Sequence, residues 1–311
     1  MEFLRLLEEI RTPLFNAIFQ FFTLFGEETL FMVFAMVFFW CVDKKSGYFL
    51  LYVSFLGGTI NQFLKLIFCI PRPWVLDKKF TIVESARNAA TGYSFPSGHT
   101  QSAAGLFFGT ARIRKEVWLR IACVVITLLV AFSRMYLGVH TPADVLVSLG
   151  VALALVFGAY PLFQLAWKNG KWFILLLGVL LLTGIALLLY VEFIPLPANA
   201  ITEFSSDGAK TAYTMFGTSL GLAFMLWIEQ KYVKFNEKAV WWAQILKAAI
   251  GLGLVIAIRL LLKEPLLALC GGHNAANGIR YFLMVVFGGA VWPLTFKFWG
   301  KLGKKKETAK A

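Results

Sequence analysis

Charge is scarce in this chain of 311 residues. Asp, Glu, Lys and Arg make up 15% of it, against 59% hydrophobic residues and 31 phenylalanines. A soluble domain carries about a quarter of its residues charged, so a water-soluble fold is excluded and the chain belongs in a bilayer. Acidic residues are the rarer sign, 17 against 30 Lys and Arg. None cluster near the polar motifs described below, so the oxygen ligands that a divalent cation needs are lacking there. The four cysteines, Cys41, Cys69, Cys123 and Cys270, stand in or beside apolar segments without metal-ligand spacing; they read as inert packing thiols. Residues 1–25 lack the basic start and small-residue cleavage site of a secretory signal, with Glu2, Glu8 and Glu9 in their place. No low-complexity linker and no internal repeat is found, which removes the usual sign of a transporter built from two related halves.

Apolar runs are what the chain has in plenty. About 20 such residues cross the hydrocarbon of a bilayer. Nine segments are candidates: 28–42, 48–70, 98–111, 117–137, 143–166, 172–193, 210–228, 241–262 and 280–298, the first and third being short. The expected fold class is all-α, a polytopic membrane helical bundle of about nine transmembrane helices. Residues 12–25, TPLFNAIFQFFTLF, read as an amphipathic helix in the outer interface rather than a further span. With the N-terminus outside, the inner connections hold Lys44 and Lys45; Arg112, Arg114 and Lys115; Lys168 and Lys171; Lys231, Lys234 and Lys238; and the tail Lys301 and Lys304–Lys306. Each inner connection is then basic, as the positive-inside rule asks. The net charge of +13 therefore reads as topology and not as a nucleic-acid surface, and the C-terminus is expected in the cytoplasm.

Three short runs place polar chemistry at the ends of apolar segments, where an isolated charge needs a partner or a task. Lys65 and Arg72 are seven apart, two helical turns and so one face. Pro71 and Pro73 end that helix and leave Arg72 at the membrane surface. Both cations can reach one anion, although the pair also reads as snorkelling side chains at a helix end. In Pro96-Ser97-Gly98-His99, Ser97 is a natural N-cap and the N–H groups of Gly98 and His99 point outward, where an anion gains from donors and helix dipole together. Standing alone, that run reads as a plain capped helix with a chance histidine. The third run joins Ser133-Arg134 to His140-Thr141-Pro142-Ala143-Asp144. Thr141 caps, Pro142 suits the first turn, and Asp144 falls at the third helical position. Asp144 can also bond one nitrogen of His140 and so turn the other toward a substrate; the two roles are compatible. Three fixed cations with free helix-start N–H groups ask for an anion, and phosphate fits best.

In this order the three runs resemble the signature of the type 2 phosphatidic acid phosphatase (PAP2) superfamily. It includes lipid phosphate phosphatases, undecaprenyl pyrophosphate phosphatases, sphingosine phosphate phosphatases, glucose-6-phosphatase and vanadium haloperoxidases. The resemblance covers about residues 28–166. It implies that His140 attacks phosphorus to form a phosphohistidine, that Asp144 orients His140, and that His99 protonates the leaving oxygen. It implies further that Lys65, Arg72, Ser97, Gly98 and Arg134 hold the phosphoryl oxygens. No metal and no cofactor is expected, because three cations and helix-start N–H groups can neutralise a phosphoryl group in transfer.

The domain organisation that follows is an interfacial helix over 1–27, a catalytic membrane core over 28–166, and additional spans with a basic tail over 167–311. A site at the outer surface of a bacterial plasma membrane, roofed by the 74–96 loop, admits a lipid sideways. A lipid phosphate or pyrophosphate is thus the expected substrate and membrane lipids the expected partners, with no nucleic acid. Nine spans with the N-terminus outside are also similar to glucose-6-phosphatase, which keeps a soluble phosphate ester open as a substrate. A lipid transporter is the reading from another class; against it, a binding site needs the cations but not a positioned nucleophile and acid. The block 172–298 shows no comparable polar chemistry. His273, in Cys270-Gly271-Gly272-His273-Asn274, reads as a loop histidine. Arg259, Lys263 and Arg280 read as partners of Glu264, or as the lining of a lipid entrance.

Overall fold

The structure is a computed structural model that describes residues 1–195, 197 and 200–302. The described residues form helices and no strand, joined by turns and by one long irregular stretch over 77–97. In chain order the helices are α1 (Glu2–Glu9), α2 (Pro13–Leu24), α3 (Glu28–Val37), α4 (Lys44–Phe68), α5 (Pro73–Leu76), α6 (Gly98–Ile113), α7 (Val117–Tyr136) and α8 (Pro142–Ala166). The second half holds α9 (Gly170–Phe193), α10 (Thr202–Ile228), α11 (Trp241–Leu261), α12 (Lys263–Leu269), α13 (Ala275–Val286) and α14 (Phe296–Trp299).

Local signals place the helix ends that matter. Asp43 caps α4 by accepting from the N–H groups of Lys45 and Ser46. At the other end, Cys69 takes the left-handed conformation (φ 47°), and Pro71 and Pro73 forbid continuation. Ser97 caps α6. Thr141 and Asp144 form a capping box on α8 behind Pro142, so that three strong caps open the elements around the three motifs. Gly138 turns the chain between α7 and α8 at φ 81°, where a Cβ would also lie 2.7 Å from Arg11 Nη2; only glycine suits both demands.

Around α4 pack α3, α6, α8, α9 and α10, and α2 lies on α7. α10 and α13 form the tightest seam. A Cβ on Gly217 would sit 2.0 Å from the Gly278 carbonyl oxygen, the close backbone approach that small residues permit between helices in lipid. The outward faces are apolar: Leu146, Phe157, Ile174, Leu182, Ile245 and Leu260 are all exposed. Such a belt would aggregate in water and is what a hydrocarbon solvent requires.

The span count differs from the expected nine. Among the described residues, seven helices are long and apolar enough to cross a bilayer, and up to eight if α2 and α3 with its following turn, bent by 45°, make one broken span. The two expected short spans account for the difference. α6 has 16 residues, about 24 Å of helix against about 30 Å of hydrocarbon. Its Gly105, Gly109, Thr100 and Thr110 are buried against neighbouring helices, with Thr110 Oγ1 donating to the Leu106 carbonyl (2.8 Å), and a segment lined by protein can be shorter than one that faces lipid. The N-terminal segment is two helices instead of one, because Arg11, Thr12 and Pro13 break it. α1 is clamped to the 74–96 loop: Arg5 pairs with Asp77, Glu8 accepts from Thr81 N–H (2.8 Å), and Leu4, Leu7 and Phe80 form a small buried cluster. The basic tail Lys304–Lys306 lies outside the described residues.

Candidate active site

A cavity of about 260 Å³ opens where the ends of α4, α6 and the α7–α8 turn converge, and Lys65, Arg72, Gly98, His99 and His140 all line it. Five of the eight expected residues thus share one cavity. The other three, Ser97, Arg134 and Asp144, are buried behind its wall at 0–1% exposure.

Arg72 sits between two prolines in extended backbone (φ −69°, ψ 154°), which projects its side chain away from α4. Its Nε donates to Gly92 O (3.0 Å), Nη2 to Thr91 O (2.6 Å), and Nη1 to Val139 O (3.1 Å). Nη1 also lies 2.9 Å from His140 Nε2. The carbonyls fix the guanidinium plane without neutralising its charge, so an anion in the cavity gains from it. Lys65 donates to the Tyr93 carbonyl oxygen, again a neutral acceptor.

His140 Nδ1 lies 3.3 Å from Asp144 Oδ2. The same oxygen accepts from Thr141 N–H (2.8 Å) and Ser94 Oγ–H (2.5 Å). A guanidinium only donates, so the contact to Arg72 assigns a lone pair to Nε2 and the hydrogen to Nδ1. That is the tautomer of a histidine whose Nε2 faces a reaction partner. Burial, then the Arg72 and Arg134 cations, push the His140 imidazole well below the usual histidine range. Asp144 does both things its sequence position allowed, capping α8 and holding His140.

Arg134 is fully buried and donates to Thr23 Oγ1 (2.6 Å), while its Nε and Nη2 have no partner among the described residues. His99 Nε2 is likewise buried and unpartnered. Ser97 is turned inward: its Oγ accepts from Thr100 N–H (3.3 Å), its N–H donates to Asp144 O (3.1 Å), and its carbonyl accepts from Ser148 Oγ (2.8 Å). It fixes the start of α6 against α8, and Gly98 is the residue there that meets the cavity. Ser133 Oγ bonds back to Val130 O (2.7 Å) within its own helix.

Sequence reasoning missed several contributors. Ser94 shares Asp144 with His140, Thr23 on α2 carries Arg134, and the carbonyls of 91–93 seat two of the cations. The block after residue 166 does reach the cavity: Phe204, Asp207, Gly208, Thr211 and Met215 of α10 form one of its walls. His273 is exposed and accepts from Ala275 N–H (3.2 Å). Lys263 pairs with Glu264 (3.3 Å), and Arg280 donates to Asn277 Oδ1 (3.0 Å). Among the described residues no three His, Cys, Asp or Glu side chains cluster in a way that could hold a metal ion.

Residues 46–168 match the PAP2 superfamily, and residues 213–305 match the transmembrane extension of PAP2 superfamily phosphatases. The chain belongs to the PAP2 superfamily. It is 38% identical over 102 residues, 32% of this chain and 49% of the other, to an undecaprenyl-diphosphatase of Bacillus subtilis. It is 28% identical over 248 residues, 73% of this chain and 57% of the other, to a probable sphingosine-1-phosphate phosphatase of Dictyostelium discoideum. A human sphingosine-1-phosphate phosphatase is 25% identical over 158 residues, 49% and 39% of the two chains. The chain thus spans about half the length of the curated relatives it matches. No solved structure matches it at comparable stringency.

Proposed function

We propose that this membrane protein hydrolyses phosphate or pyrophosphate groups from lipids through a phosphohistidine, without a metal ion. The observation that carries the reading is the His140 arrangement: Nδ1 on Asp144, Nε2 directed to the cavity, and Arg72 Nη1 2.9 Å from Nε2. A phosphoryl group placed there meets the nucleophile and a cation together.

In the first step His140 Nε2 bonds to phosphorus as the bond to the leaving oxygen breaks, and His99 gives that oxygen a proton. Arg72 Nη1–H passes from Nε2 to a phosphoryl oxygen as the lone pair is used. In the second step water attacks phosphorus, the P–N bond breaks, His99 takes the water's proton, and inorganic phosphate leaves. Lys65, Arg72 and Arg134, with the N–H groups opening α6, stabilise charge on the phosphoryl oxygens; this is the principal demand of phosphoryl transfer. Asp144 keeps the nucleophile's tautomer.

Placement supports a lipid substrate acting from the outer leaflet. The motif loops lie together at one end of the bundle, where α4, α6 and α8 begin or end. Lys44, Lys45, Arg112, Arg114, Lys115, Lys168 and Lys171 lie at the opposite ends of those helices or in the turns beside them, which favours that end as the cytoplasmic one. The relatives named as acting on undecaprenyl diphosphate and sphingosine-1-phosphate point the same way. The test is rapid-quench trapping of acid-labile phosphoenzyme from a radiolabelled lipid phosphate in excess chelator. Phosphoenzyme in the wild type and none in His140→Ala is the expected result; a wild type that turns over only when Mg²⁺ is restored would sink the metal-free route.

A further inference from the structure

Four consecutive residues hold the catalytic groups in place. Thr91 O and Gly92 O accept from Arg72, Tyr93 O accepts from Lys65, and Ser94 Oγ donates to Asp144. Two phosphate cations and the carboxylate behind His140 thus rest on one short loop. The loop is irregular, with Gly92 in the left-handed region (φ 62°), a conformation that glycine adopts at little cost. Ser94 N–H donates to Ile70 O (2.8 Å), which ties the last of the four residues to the end of α4. The three carbonyls before it are set by what holds Tyr93.

That anchor comes from the second half of the chain. Tyr93 is 1% exposed, and its hydroxyl accepts from Ile201 N–H (2.9 Å) at the start of α10. Ser205 Oγ lies 3.0 Å from the same hydroxyl and donates to Ile201 O (2.9 Å). A serine has one proton to give, so the Tyr93 hydroxyl is the donor to Ser205. The Tyr93 ring meets Phe204 edge-on at 5.5 Å. Ile201 offers no side-chain cap to α10, and Tyr93 takes up one of the backbone donors left open at that end.

We propose that Tyr93 is a positioning residue for phosphoryl transfer, and that through it the first turn of α10 sets where Lys65 and Arg72 point. The inference rests on the phosphatase reading and adds a residue outside the three motifs and a task for α10, which fixes the loop that seats the cations as well as walling the cavity. Arg72 Nη1 lies 2.9 Å from His140 Nε2 and has to meet a phosphoryl oxygen as that lone pair is used. A shift of the 91–93 carbonyls would take the guanidinium out of line with the nucleophile, and Lys65 would move with it. The coupling belongs to the first turn of α10; the seam with α13 at Gly217 lies about three turns further on.

The experiment uses the full chain purified in detergent, a lipid phosphate monoester as substrate, activity counted per folded molecule, and inorganic phosphate as the probe of the cations. Tyr93→Phe keeps the ring and removes both hydroxyl bonds. It is expected to lower kcat by about tenfold or more, since a misplacement on the order of 1 Å can cost ~10²-fold. It is also expected to weaken inhibition by inorganic phosphate, because Lys65 and Arg72 no longer converge on one anion. Ser205→Ala removes one of the two bonds and is expected to do the same in smaller measure, whereas Ser205→Thr keeps a hydroxyl and is expected to retain the wild-type values. A contact that only stabilised the fold would lower the unfolding temperature and leave kcat and phosphate inhibition per folded molecule where they were. That result in Tyr93→Phe overturns the inference and leaves the phosphatase reading standing. Should Tyr93→Phe fail to fold, the Ser205 variants decide, and equal values in Ser205→Ala and Ser205→Thr overturn the inference as well. A wild type that hydrolyses no lipid phosphate overturns both readings.

Discussion

Buried charge is handled differently in the two halves of the chain. Between Lys44 and Ala166, Lys65 and Arg72 rest on neutral carbonyls, and Arg134 keeps two buried nitrogens unpartnered. Between Gly170 and Trp299, Glu229 pairs with Lys44 (2.8 Å) and accepts from Tyr48, and Lys247 Nζ donates to Trp40 O (2.8 Å) and Glu237 O (3.0 Å). The second pattern anchors helices to each other near one end of the bundle. The first leaves a positive excess facing a cavity, which costs folding energy unless an anion binds. The three cations around the cavity therefore read as function, and the Lys44–Glu229 pair with Lys247, whose carbonyl acceptors tie α11 to the turn before α4 away from any cavity of this kind, as scaffold.

The sharpest way to break this comparison is to remove the nucleophile. His140→Ala is expected to abolish turnover of every substrate, since no phosphoenzyme forms, while the remaining cations still bind phosphate or vanadate and the protein stays folded. Residual turnover with trapped phosphoenzyme would reassign the role. Next in size is His99→Ala. A general acid contributes ~10²–10⁴-fold and matters most for poor leaving groups, so a lipid alkyl ester should lose that much and a nitrophenyl ester far less. Equal losses for both would remove His99 from the role of acid.

Beyond the first turn of α10, the second half should respond in stability rather than chemistry. Gly217→Ala puts a methyl 2.0 Å from the Gly278 carbonyl oxygen, and α10 must move off α13. Overpacking of this kind costs about 1–3 kcal/mol. Gly253→Ala on α11, with no atom within 4 Å of the new methyl, is the control. Thermal unfolding in detergent should show a clear drop for the first and almost none for the second, with kcat per folded molecule little changed in either. A Gly217→Ala protein as stable as the control would mean that the seam is looser than described.

What was legible beforehand is what local rules govern. The end of α4 ahead of Pro71 and the four-residue step from His140 to Asp144 follow from capping rules, whereas Arg72 reaches the cavity of Lys65 by another route than helical period, since α4 stops at Phe68 and Arg72 stands in extended backbone. Thr23 beneath Arg134 could not be read, because an amphipathic N-terminal helix announces an apolar face but not which buried cation its lone hydroxyl will meet. The wall from α10 was missed for a related reason. Phe204, Gly208, Thr211 and Met215 look like ordinary helix, and only the packing of α10 on α4 turns that stripe toward Lys65. The expected span at α6 is a helix of 16 residues, short of the length that crosses hydrocarbon by itself, and its polar residues face neighbouring helices instead of lipid.

The smallest expected effect concerns protonation and leaves neutral-pH turnover untouched. His140 is held neutral by burial and by the Arg72 and Arg134 cations, so its pKa in the fold lies below the ordinary value of about 6.5. The sign follows directly. Above ~6.5 the imidazole is neutral in folded and unfolded chains alike, and the folded state keeps its full advantage. As pH falls below that, the unfolded chain takes up a proton first, and stability declines toward the lower folded pKa. The nucleophile's lone pair survives over the same interval, so the acid limb of turnover should also sit below 6.5. Because substrate phosphate titrates near there as well, the clean readout is magnetic resonance of labelled histidine. The chain has three histidines, so His99→Ala combined with His273→Ala leaves His140 alone. An inflection below 6.5 that rises when Arg72 is replaced by Gln is the expected result; an inflection at or above 6.5 would mean that Asp144, and not the cations, governs the nucleophile.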